Sequence, residues 1–101
     1  MKRESIKVRD YAGEFAENKD TAKDLRINKI MPALSNNKTV ELDFQGVSGT
    51  TQSFIHALIS DPIRQFGDVA LENLEYKHCS AVVKEVVKIV YAYMQESIDD
   101  R

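Results

Sequence analysis

The sequence predicts a small α/β domain, with a central mostly parallel or mixed sheet and helices packed against it. Three observations carry that reading. Apolar and polar residues alternate over Thr39–Phe44, the pattern of a strand with one buried face. Val82, Val83, Val86, Val87, Ile89, Val90, Tyr93 and Met94 recur at helical spacing later in the chain. The segments between and before them read in the order strand, helix, strand, helix, strand, helix, which favours a layered α/β arrangement with right-handed crossovers.

Ser5–Val8 reads as a first short strand, because Ile6 and Val8 alternate with Lys7 and Arg9. Residues 10–19 form a connection of ambiguous type, in which a further edge strand can hide over 11–19. Asp20 or Thr21 is positioned to cap a helix whose apolar face holds Ala22, Leu25, Ile30, Met31 and Leu34, with Asp24 in its first turn. Pro32 cannot donate the helical hydrogen bond and predicts a kink or a frayed last turn. Ser35–Lys38 is a turn.

In the strand over Thr39–Phe44, Val40, Leu42 and Phe44 point one way while Thr39, Glu41 and Asp43 point the other. After Gly46 and Gly49, a helix is expected from Gln52 or Ser53 to about Ser60, with Phe54, Ile55, Leu58 and Ile59 buried. Asp61-Pro62 marks its end or a break, and Phe66-Gly67-Asp68 a turn. Val69, Ala70, Leu71 and Leu74 suggest a third strand interrupted by Asn73. A helix of roughly 20 residues, or about 30 Å, is expected from His78 to about Ser97. Its apolar stripe is wider than one sheet contact requires. It serves a broad core contact or a surface shared with another protein, a homodimer mate included, and a purely structural homo-oligomeric protein built on the 82–94 stripe is a further class of reading.

Composition narrows the function classes. The 101 residues are expected to form one domain over 1–101, small enough that a partner or dimer mate would add needed stability. No apolar run approaches the roughly 20 residues that span a bilayer, and Met1–Ser5 lacks an apolar leader, so no membrane attachment is expected. The lone Cys79 excludes an intrachain disulfide and agrees with a cytoplasmic location. One Cys and two His, His56 and His78, are too few for a structural zinc site, and no metal or cofactor is expected. Residues 1–38 carry 9 basic and 6 acidic groups, whereas residues 39–101 carry 5 and 10. The basic groups are interspersed with acids and have few aromatic neighbours, so no nucleic-acid partner is expected.

The start of the second helix is the best candidate site. Gly49, Thr50, Thr51, Gln52 and Ser53 place hydroxyls beside backbone N–H groups that have no helical partner and a partial positive charge. Thr50, Thr51 and Ser53 are candidate phosphoacceptors. Equally, Thr51 serves as the helix cap and Ser53 bonds within the first turn. The segment has neither a Gly-Lys-Ser/Thr phosphate loop nor a dinucleotide fingerprint. An enzyme using Asp43, Ser53 and His56 is a different class of reading, with Asp43 as base or ligand at a strand end. His78 and Cys79 are neighbours in sequence; His78 reads as a surface or capping residue and Cys79 as a small half-buried group. Tyr91 and Tyr93 read as core-edge or interface aromatics.

The run Val40-Glu41-Leu42-Asp43-Phe44-Gln45-Gly46-Val47, followed by Thr50-Thr51-Gln52-Ser53-Phe54 and Leu58, resembles the STAS-like domain family of unknown function. That family is related to the sulfate-transporter and anti-sigma-factor-antagonist domain. The resemblance is strongest over 38–60 and extends over about 20–90. It implies a non-enzymatic regulatory module, and a histidine-kinase-type ATPase as partner. In the antagonist relatives a serine at the equivalent helix start is phosphorylated by the partner kinase, which ends binding. Ser53 is the closest match here and Thr51 the next. Ser53 is followed by Phe54 where those relatives carry glycine, and Ile55, His56 and Ala57 stand where STAS-like members often carry acids. The expectation is therefore a protein-binding module that uses the 46–54 loop, with Thr50, Thr51 and Gln52 as polar contacts and Phe54 in the core.

Overall fold

The computed structural model describes residues 2–99, with side chains described as far as Met94. Three strands, β1 (Arg3–Lys7), β3 (Thr39–Asp43) and β5 (Leu74–Lys77), form one sheet in the order β1-β3-β5. Both pairings are parallel, with Ile6 opposite Leu42 and Leu42 opposite Tyr76. Two very short strands, β2 (Phe15–Ala16) and β4 (Gly49–Thr50), make a second parallel pair. Parallel neighbours need crossovers. Those between the main strands contain α1 (Val8–Ala12), α2 (Lys19–Leu25) and α3 (Met31–Ser35), then α4 (Gln52–Phe66) and α5 (Asp68–Asn73). The chain continues from β5 into α6 (Ala81–Asp99). This is the predicted α/β class, and every described strand pairing is parallel.

The alternation in β3 has the predicted consequence. Val40, Leu42 and Phe44 are completely buried, and they join Ile6, Leu74, Phe54, Ile55, Leu58, Ile59, Val83, Val90 and Met94 in one core. Helix α4 lies between α2 and α6 and contacts both. The other sheet face is polar. Arg3 reaches both Glu75 and Glu41, Ser5 donates to Glu41, and Lys77 pairs with Glu75. Parallel sheets are usually covered on both sides; here charged side chains make the second face compatible with solvent.

Several local expectations are corrected. The first strand ends at Lys7, and Val8 opens a helical turn instead. The connection over 10–19 does hold a short strand, β2, but it pairs with β4 in a separate two-stranded sheet instead of edging the central one. Asn18, rather than Asp20 or Thr21, caps α2, its side chain accepting from the N–H groups of both. The irregularity expected at Pro32 lies just upstream, where Arg26–Ile30 forms a π-helical turn between α2 and α3. Pro32 then occupies the first turn of α3, where its missing N–H costs little.

Helix α4 runs through Pro62 instead of stopping there. Interior proline costs a helix about 3 kcal/mol. Burial of Ile59, Ile63 and Pro62 itself opposes that cost, and each buried aliphatic side chain contributes roughly 1.5–3 kcal/mol. The stop is Gly67, with φ +56, whose N–H returns to the Ile63 carbonyl. The third strand also moves. Residues 68–73 are helical, closed by the Asn73 amide donating to the Val69 carbonyl, and the strand is Leu74–Lys77. Helix α6 begins at Ala81, not His78; Ser80 caps it, accepting from the Val83 N–H on its hydroxyl and from the Lys84 N–H on its carbonyl.

Candidate functional site

The β4–α4 junction is built from the sequence upward. Gly49 is buried beneath the Phe15 ring; a β-carbon there would stand 2.9 Å from that ring, so only glycine fits without displacing it. The Thr50 hydroxyl is buried and donates to the Ala16 carbonyl at 2.7 Å, which fastens the junction to β2. Thr51 is the helix cap, accepting from the Phe54 N–H at 3.1 Å. Phe54 is completely buried, as expected. Gln52 and Ser53 are exposed on the first turn.

Ser53 opens onto a cleft of about 410 Å³ shared by Lys19 of α2, His56 of α4, and Ile89 and Tyr93 of α6. The His56 and Tyr93 rings meet edge to face, 6.4 Å apart. Beside this cleft α6 shows two faces. Val83, Val87, Val90 and Met94 are buried, while Val82, Ile89 and Tyr93 are 55%, 43% and 64% exposed. Val82 also flanks Gly49 next to Phe15, itself half exposed. The structure therefore joins the helix start and the α6 stripe, which are some 30 residues apart in sequence, into one surface.

Asp43 belongs elsewhere, at the carboxyl end of β3. Its carboxylate accepts from the Gln45 N–H at 2.9 Å and pairs with His78 Nδ1 at 2.9 Å. The Gln45 N–H first, and the His78 ring second, hold its carboxyl below the usual carboxylate range. Asp43 engages His78, whereas His56 packs on Tyr93 and shares the cleft with Ser53. Cys79 is half-buried, and burial pushes its thiol up, away from the nucleophilic thiolate. Sequence reasoning missed the Asp43–His78 pair. Its only local signal was an aspartate ending a strand.

Among the described residues, no group of three or more His, Cys, Asp or Glu side chains is placed to hold a metal. Nor is any described helix long and apolar enough to cross a membrane.

A parallel three-stranded sheet with its helices on one face, and a capped helix start beside it, defines the class as a small α/β domain. More narrowly, the model of the STAS-like domain of unknown function (DUF4325) matches residues 21–84, and the chain belongs to that family. The match includes β3, Asp43, the β4–α4 junction and Ser53, and ends in the first turn of α6. No curated protein and no solved structure matches the chain.

Proposed function

We propose that this protein is a non-enzymatic regulatory module that binds another protein through the face formed by the start of α4 and the exposed side of α6. One observation carries the reading. Val82, Ile89 and Tyr93 line up at spacings of seven and four on α6, all more than two-fifths exposed, beside the exposed Gln52 and Ser53. Apolar side chains aligned in this way on a helix are the pattern of a protein contact. Membership of the STAS-like family supports a regulatory role. The partner proposed is a histidine-kinase-type ATPase, on the strength of the family resemblance. Gln52 and Ser53 supply the polar contacts, while Thr50 and Thr51 act from within by holding the helix start.

The test is affinity capture of the tagged protein from its native cells, with stoichiometry read by mass spectrometry. Recovery of an ATP-binding protein near one to one is expected. A chain recovered alone removes the reading, and sedimentation of that material tells whether a second copy occupies the same face.

A phosphorylation switch at Ser53 is the sharper version. It is favoured by the exposure of Ser53 in the first turn of α4 and by Lys19 across the cleft. A phosphate there gains from the helix dipole and a nearby ammonium, so it changes the surface charge without unfolding the helix. Thr51 is the next acceptor, although its hydroxyl oxygen already serves the Phe54 N–H. Intact-mass and site mapping of protein from native cells should find one added phosphate at Ser53 under some growth condition; unmodified protein throughout argues against the switch.

A further inference from the structure

Helix α6 carries two helix-pairing seams, and the domain fills only one of them. Val83, Val87, Val90 and Met94, at spacings of four, three and four, are buried in the core. Val82, Val86, Ile89 and Tyr93 repeat those spacings one residue earlier; Val86 is half-buried and the other three are exposed. Alternating steps of four and three are the period at which one helix packs along another. We infer that the open seam pairs with the same seam of a second copy of this chain, the two helices running antiparallel across a two-fold axis. The inference rests on the same exposed face as the proposed partner site, which the second copy covers until a partner displaces it.

Three features make the face complementary to itself. Its steps of four, three and four read the same from either end. An antiparallel two-fold pair therefore sets Val82 against Tyr93 of the second copy, small against large, and Val86 against its Ile89. The face also has a projection at one end and a recess at the other. Phe15, 49% exposed, stands at the Val82 end, where both side chains border Gly49. The cleft of about 410 Å³ lies against Ile89 and Tyr93, at the opposite end of a seam about 16 Å long. Both lie on the α4 side of the seam, since Gly49 leads into α4 and the cleft is lined by it. A two-fold axis across the helices keeps like sides together, so each Phe15 meets the other copy's cleft, with Ala57 and Val90 in its walls. Charge agrees with this docking. Phe15 is flanked by the exposed Glu14 and Glu17, whereas the described lining of the cleft holds Lys19 and His56 and no carboxylate. The exposed apolar patch is on the order of a few hundred Å², below the roughly 800 Å² per partner of a standard stable interface. The pair is therefore weak and exchangeable, and the chain is monomeric at low micromolar concentration.

The purified chain alone is followed by sedimentation velocity from about 5 to about 500 µM, and a shift from monomer to dimer is expected. Isotope-filtered NOE spectra of mixed labelled and unlabelled protein should show Phe15 in contact with Ile89 across the two copies. Ile89→Ser/Tyr93→Ser and, separately, Phe15→Ala should each weaken association by at least about tenfold. Ser5→Ala/Glu75→Gln, on the polar sheet face, should associate as wild type. Monomer at every concentration overturns the inference. So do contacts between Tyr93 and Tyr93, the mark of parallel helices, or contacts on the sheet face. None of these results touches the partner reading, which fails only when capture from native cells returns no partner.

Discussion

Thr51 and Asp43 each hold a backbone N–H, and each is open to a direct test. Removing a helix cap costs about 1 kcal/mol, and in a domain of this size that lowers Tm by roughly 4–8 °C. Thr51→Ala is therefore expected to lose that much in a thermal melt, while Thr51→Asp, which keeps an acceptor, should lose much less. Asp43 predicts a pH dependence. Its carboxyl lies lower in the folded chain than its ordinary value of 3.8, so the native state favours the ionised form. That contribution is fully present above 3.8 and fades as the pH falls through the lower folded value. In urea melts between neutral pH and strongly acid solution, Asp43→Asn should start out less stable, and its deficit should shrink below the ordinary aspartate value. A deficit constant with pH would contradict this. The cap was legible because it needs only Thr51 and the residues that follow it. The Asp43–His78 pair was not: it spans 35 residues and exists only because β3 and β5 run side by side with Asp43 opposite Lys77.

The two faces of α6 make opposite predictions for neighbouring residues. Val90 is buried and Ile89 is 43% exposed. Val90→Ala should cost about 2 kcal/mol in urea unfolding, from lost transfer energy and the cavity left behind. Ile89→Ser should stay within about 0.5 kcal/mol of wild type, since it disturbs a surface position. If the two cost the same, the face assignment fails. The helical period of 82–94 was plain in the sequence, as was a stripe wider than the sheet needs; which residues form the surplus depends on where α4 packs. Elsewhere, rules of short range misled. Asp61-Pro62 looks like a helix end, yet burial of Ile59 and Ile63 carries α4 on to Gly67. The apolar run Val69–Leu71 suggests a strand, but Ala70 and Leu71 are good helix formers and the Asn73 amide closes a helical turn there, so the strand is Leu74–Lys77.

Across the whole molecule, the helices bury one sheet face and ion pairs occupy the other. Exposed ion pairs contribute little to stability, so the polar face is tolerant of change. The apolar surface left on α6 lies on the opposite side of the domain's logic. It is accessible, continuous with the α4 start, and costly to leave in water without use. The α/β class and the importance of the helix start were readable from alternation and turn chemistry. That helix start and the α6 stripe form one surface was not, because tertiary packing alone brings Gly49, Phe15 and Val82 together.

The most direct test of that surface compares two double variants in quantitative capture from native cells. Ile89→Ser/Tyr93→Ser alters the α6 face, and Ser5→Ala/Glu75→Gln alters the polar sheet face. Both should leave the far-ultraviolet circular dichroism spectrum unchanged. The account predicts that the first loses the stoichiometric partner while the second keeps it. Retention by the α6 variant, with loss by the sheet-face variant, would contradict it and move the interface to the open side of the sheet.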